Sequence, residues 1–182
     1  MNDAARAEIP EAALAAADHV LGDAHAKLTL LEYGDYECPA SIQAAPLMQH
    51  LVDTHPGRLR FVFRHFPLVE VHPHAELAAE AAEAAAAQGR FWPMHHLLFA
   101  HAHHLKPAAL AGYAESIELD MNRFNAEMAD RIYTQRVQEH RRAGERSGVR
   151  ATPTFFLNGE AVDASFGFDK LVDAVQAALA EA

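Results

Sequence analysis

The sequence predicts an α/β fold in which a β-α-β unit and a β-β-α unit are separated by a long helical block. Three features lead to that reading. Lys27 to Tyr33 is a short apolar and β-branched run ended by Gly34 and Asp35, which reads as a buried strand. Leu59 to Phe63 alternates apolar and basic residues and reads as a second strand one helix later. Near the end of the chain, Thr154 to Leu157 and Glu160 to Val162 flank Asn158-Gly159, a dipeptide suited to a two-residue hairpin turn because both residues tolerate positive φ.

The intervening elements follow from helical spacing and breakers. Pro39 to Thr54 places Ile42, Ala45, Leu47, Met48, Leu51 and Val52 along a helix that His55-Pro56-Gly57 stops. From about residue 74 to 147 the pattern is almost wholly helical. Ala75 to Ala87 is rich in the best helix former and closes at Gln88-Gly89. Phe91 to His103 forms a second helix, with Pro93 tolerated in its first turn. Pro107 to Ile117 and one long helix from Asn122 to Arg146 supply the rest, with Asp120 as a cap. Phe168 to Ala180 finishes the chain as a helix. Residues 1–17, Ala-rich and acidic, are expected to be a flexible arm, and residues 18–182 one domain.

Composition narrows the function classes. With 182 residues, 51% hydrophobic and 22% charged, the chain suits one soluble globular domain. A net charge of -10 repels a phosphate backbone, and Glu139 and Glu145 interrupt the basic stretch Arg131 to Arg150, which reads as a solvated helix face; nucleic acid is not an expected partner. No apolar run approaches the roughly 18 to 20 residues that span a bilayer, so no membrane partner is expected either. The N-terminus lacks the basic start and apolar block of an export signal, and a single cysteine forms no intrachain disulfide. A cytoplasmic location is therefore expected, or a periplasmic one if a leader was removed.

The chemistry concentrates in Glu32-Tyr33-Gly34-Asp35-Tyr36-Glu37-Cys38-Pro39-Ala40-Ser41. A lone cysteine is usually a small buried hydrophobe. Here it falls where a strand gives way to a helix. With Cys38 as N-cap and Pro39 at the first helical position, the unpaired N–H groups of Ala40 and Ser41 and the positive end of the helix dipole favour thiolate, the attacking species in disulfide exchange. Pro46 inside the helix adds weight, since an interior proline costs about 3 kcal/mol. The second informative segment is Ser147-Gly148-Val149-Arg150-Ala151-Thr152-Pro153-Thr154-Phe155-Phe156-Leu157-Asn158-Gly159.

Together the two segments resemble the DsbA-like branch of the thioredoxin superfamily, over roughly Val20 to the C-terminus. Members carry an acid-rich strand end running into Cys-Pro-x-Cys, a helical insertion, and a late Gly-Val-x-x-Thr-Pro-Thr-Phe-Phe-x-Asn-Gly stretch. The resemblance implies a thioredoxin fold whose helical insertion lies at about residues 74–147. It also implies a cis Pro153 beside Cys38, a Thr152 backbone that receives an extended peptide as an added strand, and a substrate surface that includes Pro39 and Ala40. Glu32 matches the family's buried acid. Similar domains also occur fused to bacterial sodium/proton antiporters.

Ser41 stands where the family has its second cysteine. Cys38 would then form mixed disulfides that no partner on this chain resolves, whether as a natural monothiol enzyme served by glutathione, a redox-idle descendant, or an engineered replacement. The expected partners are protein or peptide thiols and disulfides, with glutathione as co-substrate in place of a bound cofactor. A redox-idle peptide-binding or chaperone-like module and a glutathione-dependent isomerase or transferase are the alternatives. Among the thirteen histidines, His95, His96, His101, His103 and His104, with His65, His72 and His74, invite a metal. No His-Glu-x-x-His pattern is present, so they read as surface or packing residues and no metal site is expected.

Overall fold

The computed structural model describes residues 18–181, so the arm expected over residues 1–17 lies outside the described residues. In chain order the elements are β1 (His19–Gly22), β2 (Leu28–Gly34), α1 (Pro39–Thr54), β3 (Leu59–His65), α2 (Ala75–Ala86), α3 (Phe91–Ala100), α4 (Pro107–Ser116), α5 (Met121–Ala129), α6 (Thr134–Arg146), β4 (Thr154–Leu157), β5 (Glu160–Val162) and α7 (Asp169–Glu181). The strands form one sheet in the order β1-β3-β2-β4-β5. β2 runs parallel to β3, and β1, β4 and β5 pair with their neighbours antiparallel. This is the thioredoxin fold with a helical insertion between its halves.

β2 is buried along its whole length, which is why its sequence is a continuous apolar run and not an alternating one. One face of the sheet packs α1 through Ala44, Met48, Leu51 and Val52, and the insertion joins the same core through Ala78, Met94, Leu98 and Phe124. Tyr33, Leu31, Val62, Phe66, Val149 and Phe156 make a second, smaller core. At the hairpin, Asn158 and Gly159 both take positive φ, 47° and 86°, as a mirror-image turn requires. The Asn158 side chain also accepts from Thr29 N–H at 2.8 Å, pinning the hairpin to β2.

Three sequence expectations need correction. His19–Gly22 is an additional edge strand, too short and too close to the alanine-rich segment to stand out by period; its partner β3 and the indole of Trp92, which donates to Val20 O, hold it. The long helix expected from Asn122 to Arg146 is two, because Arg131 takes a positive φ of 53° and turns the chain. Nor is the basic stretch simply a solvated face. Arg131 bonds Glu80 Oε2 at 2.7 Å, Arg136 lies 2.6 Å from Glu83 Oε2, and both carboxylates belong to buried positions of α2. Those arginines are the ties between α6, the turn before it and α2.

α6 also crosses the end of the sheet with Gly144, where a Cβ would lie 2.8 Å from Phe66 Cδ2 and 3.0 Å from Tyr33 Cδ1. Both rings are fully packed, so neither can give way. Gly144→Ala is therefore expected to lower stability by about 1–3 kcal/mol in urea unfolding, even though alanine is the better helix former by about 1 kcal/mol. A neutral or stabilising result would show that the two rings yield.

Candidate active site

The end of β2 and the start of α1 build the site. Gly34 is the last strand residue, and a side chain there has no room: its Cβ would meet Phe63 Cε2 at 2.5 Å and Glu32 Oε1 at 2.8 Å. Asp35 then closes a turn by accepting Glu37 N–H at 2.7 Å. Its other oxygen accepts Leu68 N–H and contacts His72 Nδ1, both at 2.8 Å. Glu37 holds the same returning segment, accepting His74 N–H at 2.7 Å with His74 Nδ1 at 3.0 Å. Sequence reasoning used Asp35 only as a strand breaker and missed this clamp. The Asp-x-Glu spacing marks the turn, but the histidine partners lie 37 residues away.

Cys38 is the N-cap of α1 in extended conformation, Pro39 is at the first helical position, and α1 continues through Pro46. The sulfur makes no capping bond to the helix amides. As a thiol it is a donor, and Sγ donates to Thr152 O at 3.2 Å, across 114 residues of chain. The Thr152-Pro153 peptide is cis. Cys38 is 7% exposed, Pro39 is exposed and Ala40 and Pro153 are half-buried, so the sulfur sits just beneath a surface of these residues. Ser41, one turn along α1, is fully buried, and its Oγ accepts Asp35 N–H at 3.3 Å. The serine hydroxyl thus secures the turn before the cysteine.

Glu32 lies on β2 between Phe63 of β3 and Phe155 of β4, and is 1% exposed. Its Oε1 has no hydrogen-bond partner. Burial alone pushes its carboxyl up to about 8, so at neutral pH it is largely protonated. Close by in the same core, the Tyr36 hydroxyl lies 3.0 Å from His95 Nδ1. Burial, reinforced by Glu83 and Glu32, raises Tyr36 well above its usual range, and burial beside other histidines lowers His95 well below its own. The pair is neutral. His95 is therefore a packing histidine, ringed by Phe63, Phe99 and Trp92.

A cysteine at a helix N-terminus, set against the carbonyl that precedes a cis proline, with a buried acid under the sheet end, is a thioredoxin-fold arrangement. A family profile described as thioredoxin matches residues 15–177, and the chain belongs to that family. It is 27% identical to a thioredoxin-like oxidoreductase from Silicibacter pomeroyi, covering 91% of this chain and 93% of that one with a TM-score of 0.77. The thiol-disulfide exchange protein alpha-DsbA2 from Wolbachia pipientis shares the fold at 19% identity, with a TM-score of 0.76 over 88% of this chain and 87% of that one. The chain is also 48% identical over 163 residues to a Na(+)/H(+) antiporter NhaA 1 from Salinispora arenicola, covering 90% of this chain. It spans about a quarter (25%) of that relative's length. No helix among the described residues is long and apolar enough to cross a membrane.

Glu32 carries a stability prediction. Its carboxyl ionises near 4.5 when exposed and near 8 in the fold, so between those values the unfolded state has lost a proton that the folded state keeps. Its contribution is complete below about pH 4.5 and declines as pH rises to about 8. Glu32→Gln removes this decline. The variant should gain on the wild type as pH rises from 5 to 8, by on the order of a few kcal/mol in denaturant titrations. A difference independent of pH would show that Glu32 is not the titrating group.

Proposed function

We propose that this domain performs thiol-disulfide exchange through Cys38 alone, with protein or peptide disulfides as substrates and glutathione as the resolving co-substrate. The Cys38 thiolate attacks one sulfur of a disulfide, forming a mixed disulfide and releasing the other half as a thiolate. A glutathione thiolate then attacks the substrate sulfur of that mixed disulfide, giving substrate–glutathione disulfide and regenerating the Cys38 thiolate. Two electrons stay within the exchanging sulfurs throughout, so no bound redox group is required.

The observation that carries this reading is the 3.2 Å contact between Cys38 Sγ and Thr152 O beside the cis Pro153. An extended substrate running past Thr152 and Pro153 would bring its sulfur to Cys38, with Pro39 and Ala40 forming the opposite wall. Glu32, held protonated under the strand end, is the internal group that can supply or take a proton as the sulfur changes charge. Ser41 supports the turn and cannot close a disulfide on Cys38.

The test is an exchange assay on a disulfide peptide, with and without glutathione, for the wild type, Ser41→Cys and Cys38→Ser. Turnover by the wild type should require glutathione, Ser41→Cys should exchange without it, and Cys38→Ser should do neither. Peptide binding that survives Cys38→Ser, with no exchange by Ser41→Cys, would instead identify a docking module without turnover. Turnover of an organic electrophile with glutathione would place the chain among transferases.

A further inference from the structure

Away from Cys38, three residues from three elements converge beneath the helical insertion. His19 on β1 and His65 at the end of β3 both direct Nε2 to one atom, Glu83 Oε1 on α2, at 2.6 and 2.8 Å. The three ligand-capable atoms lie within 4.8 Å of one another. His65 and Glu83 are buried, while His19 is partly open to a cavity of about 440 Å³ that Asp18, Trp92, Tyr133 and Arg136 also line. The other carboxylate oxygen is held by Arg136 at 2.6 Å, and the His19 ring is stacked on Phe91 with centroids 3.6 Å apart and planes within 6°.

From this convergence we propose that His19 Nε2, His65 Nε2 and Glu83 Oε1 form a divalent zinc site, with its fourth position open to the cavity. Two imidazole nitrogens and one carboxylate oxygen are a donor set that zinc accepts, and three protein ligands with one open position is the arrangement of an accessible zinc ion. Bonds of about 2.1 Å at tetrahedral angles would hold the donors roughly 3.4 Å apart, so each histidine nitrogen would draw back slightly from Glu83 Oε1. Binding exchanges two N–H···O contacts for metal bonds, and each ring then carries its proton on Nδ1. Arg136 leaves Glu83 one oxygen to offer, so the carboxylate binds through Oε1 alone. The arginine charge, and the lack of a partner at His65 Nδ1, weaken the affinity relative to a closed structural centre.

Period-based reading could not find this site. Its ligands are 46 and 18 residues apart in sequence, and they meet only because β1 pairs with β3 while α2 folds back across that edge. The histidines clustered in sequence, from His95 to His104, do not form it.

Zinc binding to the full chain is measured by competition with a chromogenic zinc indicator, and Co(II) serves as a spectroscopic probe. One equivalent should bind. Affinity should fall about tenfold or more in His19→Gln and in Glu83→Gln, and stay unchanged in Cys38→Ser. Thermal unfolding of both variants in chelator checks that each is folded. If one is not, the unmodified chain still decides the matter through its Co(II) spectrum, which should show d–d bands of nitrogen and oxygen ligation with no thiolate charge-transfer band. Absence of saturable binding, affinity retained in both folded variants, or a thiolate band lost with Cys38→Ser would each overturn the proposal.

Discussion

β2 is hydrogen-bonded along both edges, in parallel to β3 and antiparallel to β4, and every residue of it is buried. Because β3 belongs to the first half of the chain and β4 to the second, this strand is where the two halves are joined. Its register with β4 pairs Tyr33 with Thr154 and Glu32 with Phe155, which sets the segment before β4 against the loop that follows β2. Cys38 and Thr152 meet as a result. A slip of one residue would turn Glu32 away from its apolar pocket and move the sulfur off the carbonyl.

Carboxylates do different work according to what surrounds them. Glu32 is buried without a partner and is held protonated. Asp35 is equally enclosed but receives two N–H groups and a histidine, and it serves as the anchor of the turn that presents Cys38. Glu37 repeats that arrangement one step further out with His74. The cysteine-bearing turn is thereby fastened to the segment between β3 and α2, so the insertion and the site are mechanically continuous. The turn that carries Cys38 is thus held in one geometry by groups from the segment that follows β3.

The insertion is attached by a similar use of charge. Glu80 and Glu83 lie on the buried face of α2, where a carboxylate is tolerated only when paired, and Arg131 and Arg136 supply the pairing. Arg64 of β3 does the same beside β1, bonding both oxygens of Asp18 and the hydroxyl of Tyr33. The chain's excess of negative charge is thus partly internal, and Arg64, Arg131 and Arg136 are structural ties.

Much of this was legible in the sequence. Apolar period and breaker chemistry placed β2, α1, β3, the hairpin and α7, since each is either wholly buried or amphipathic over its length. Cys38-Pro39 at a strand-to-helix junction marked the candidate site, and the late Thr152-Pro153 stretch marked the segment that faces it. What period reasoning could not see were features decided by contacts distant in sequence. β1 exists because β3 offers an edge, and α5 and α6 separate where Arg131 turns toward Glu80. The sulfur faces the Thr152 carbonyl because strand register brings it there. Local chemistry determined which residues could react. Only the packing of remote segments, through pairing and burial that no short window contains, decided what each of them faces.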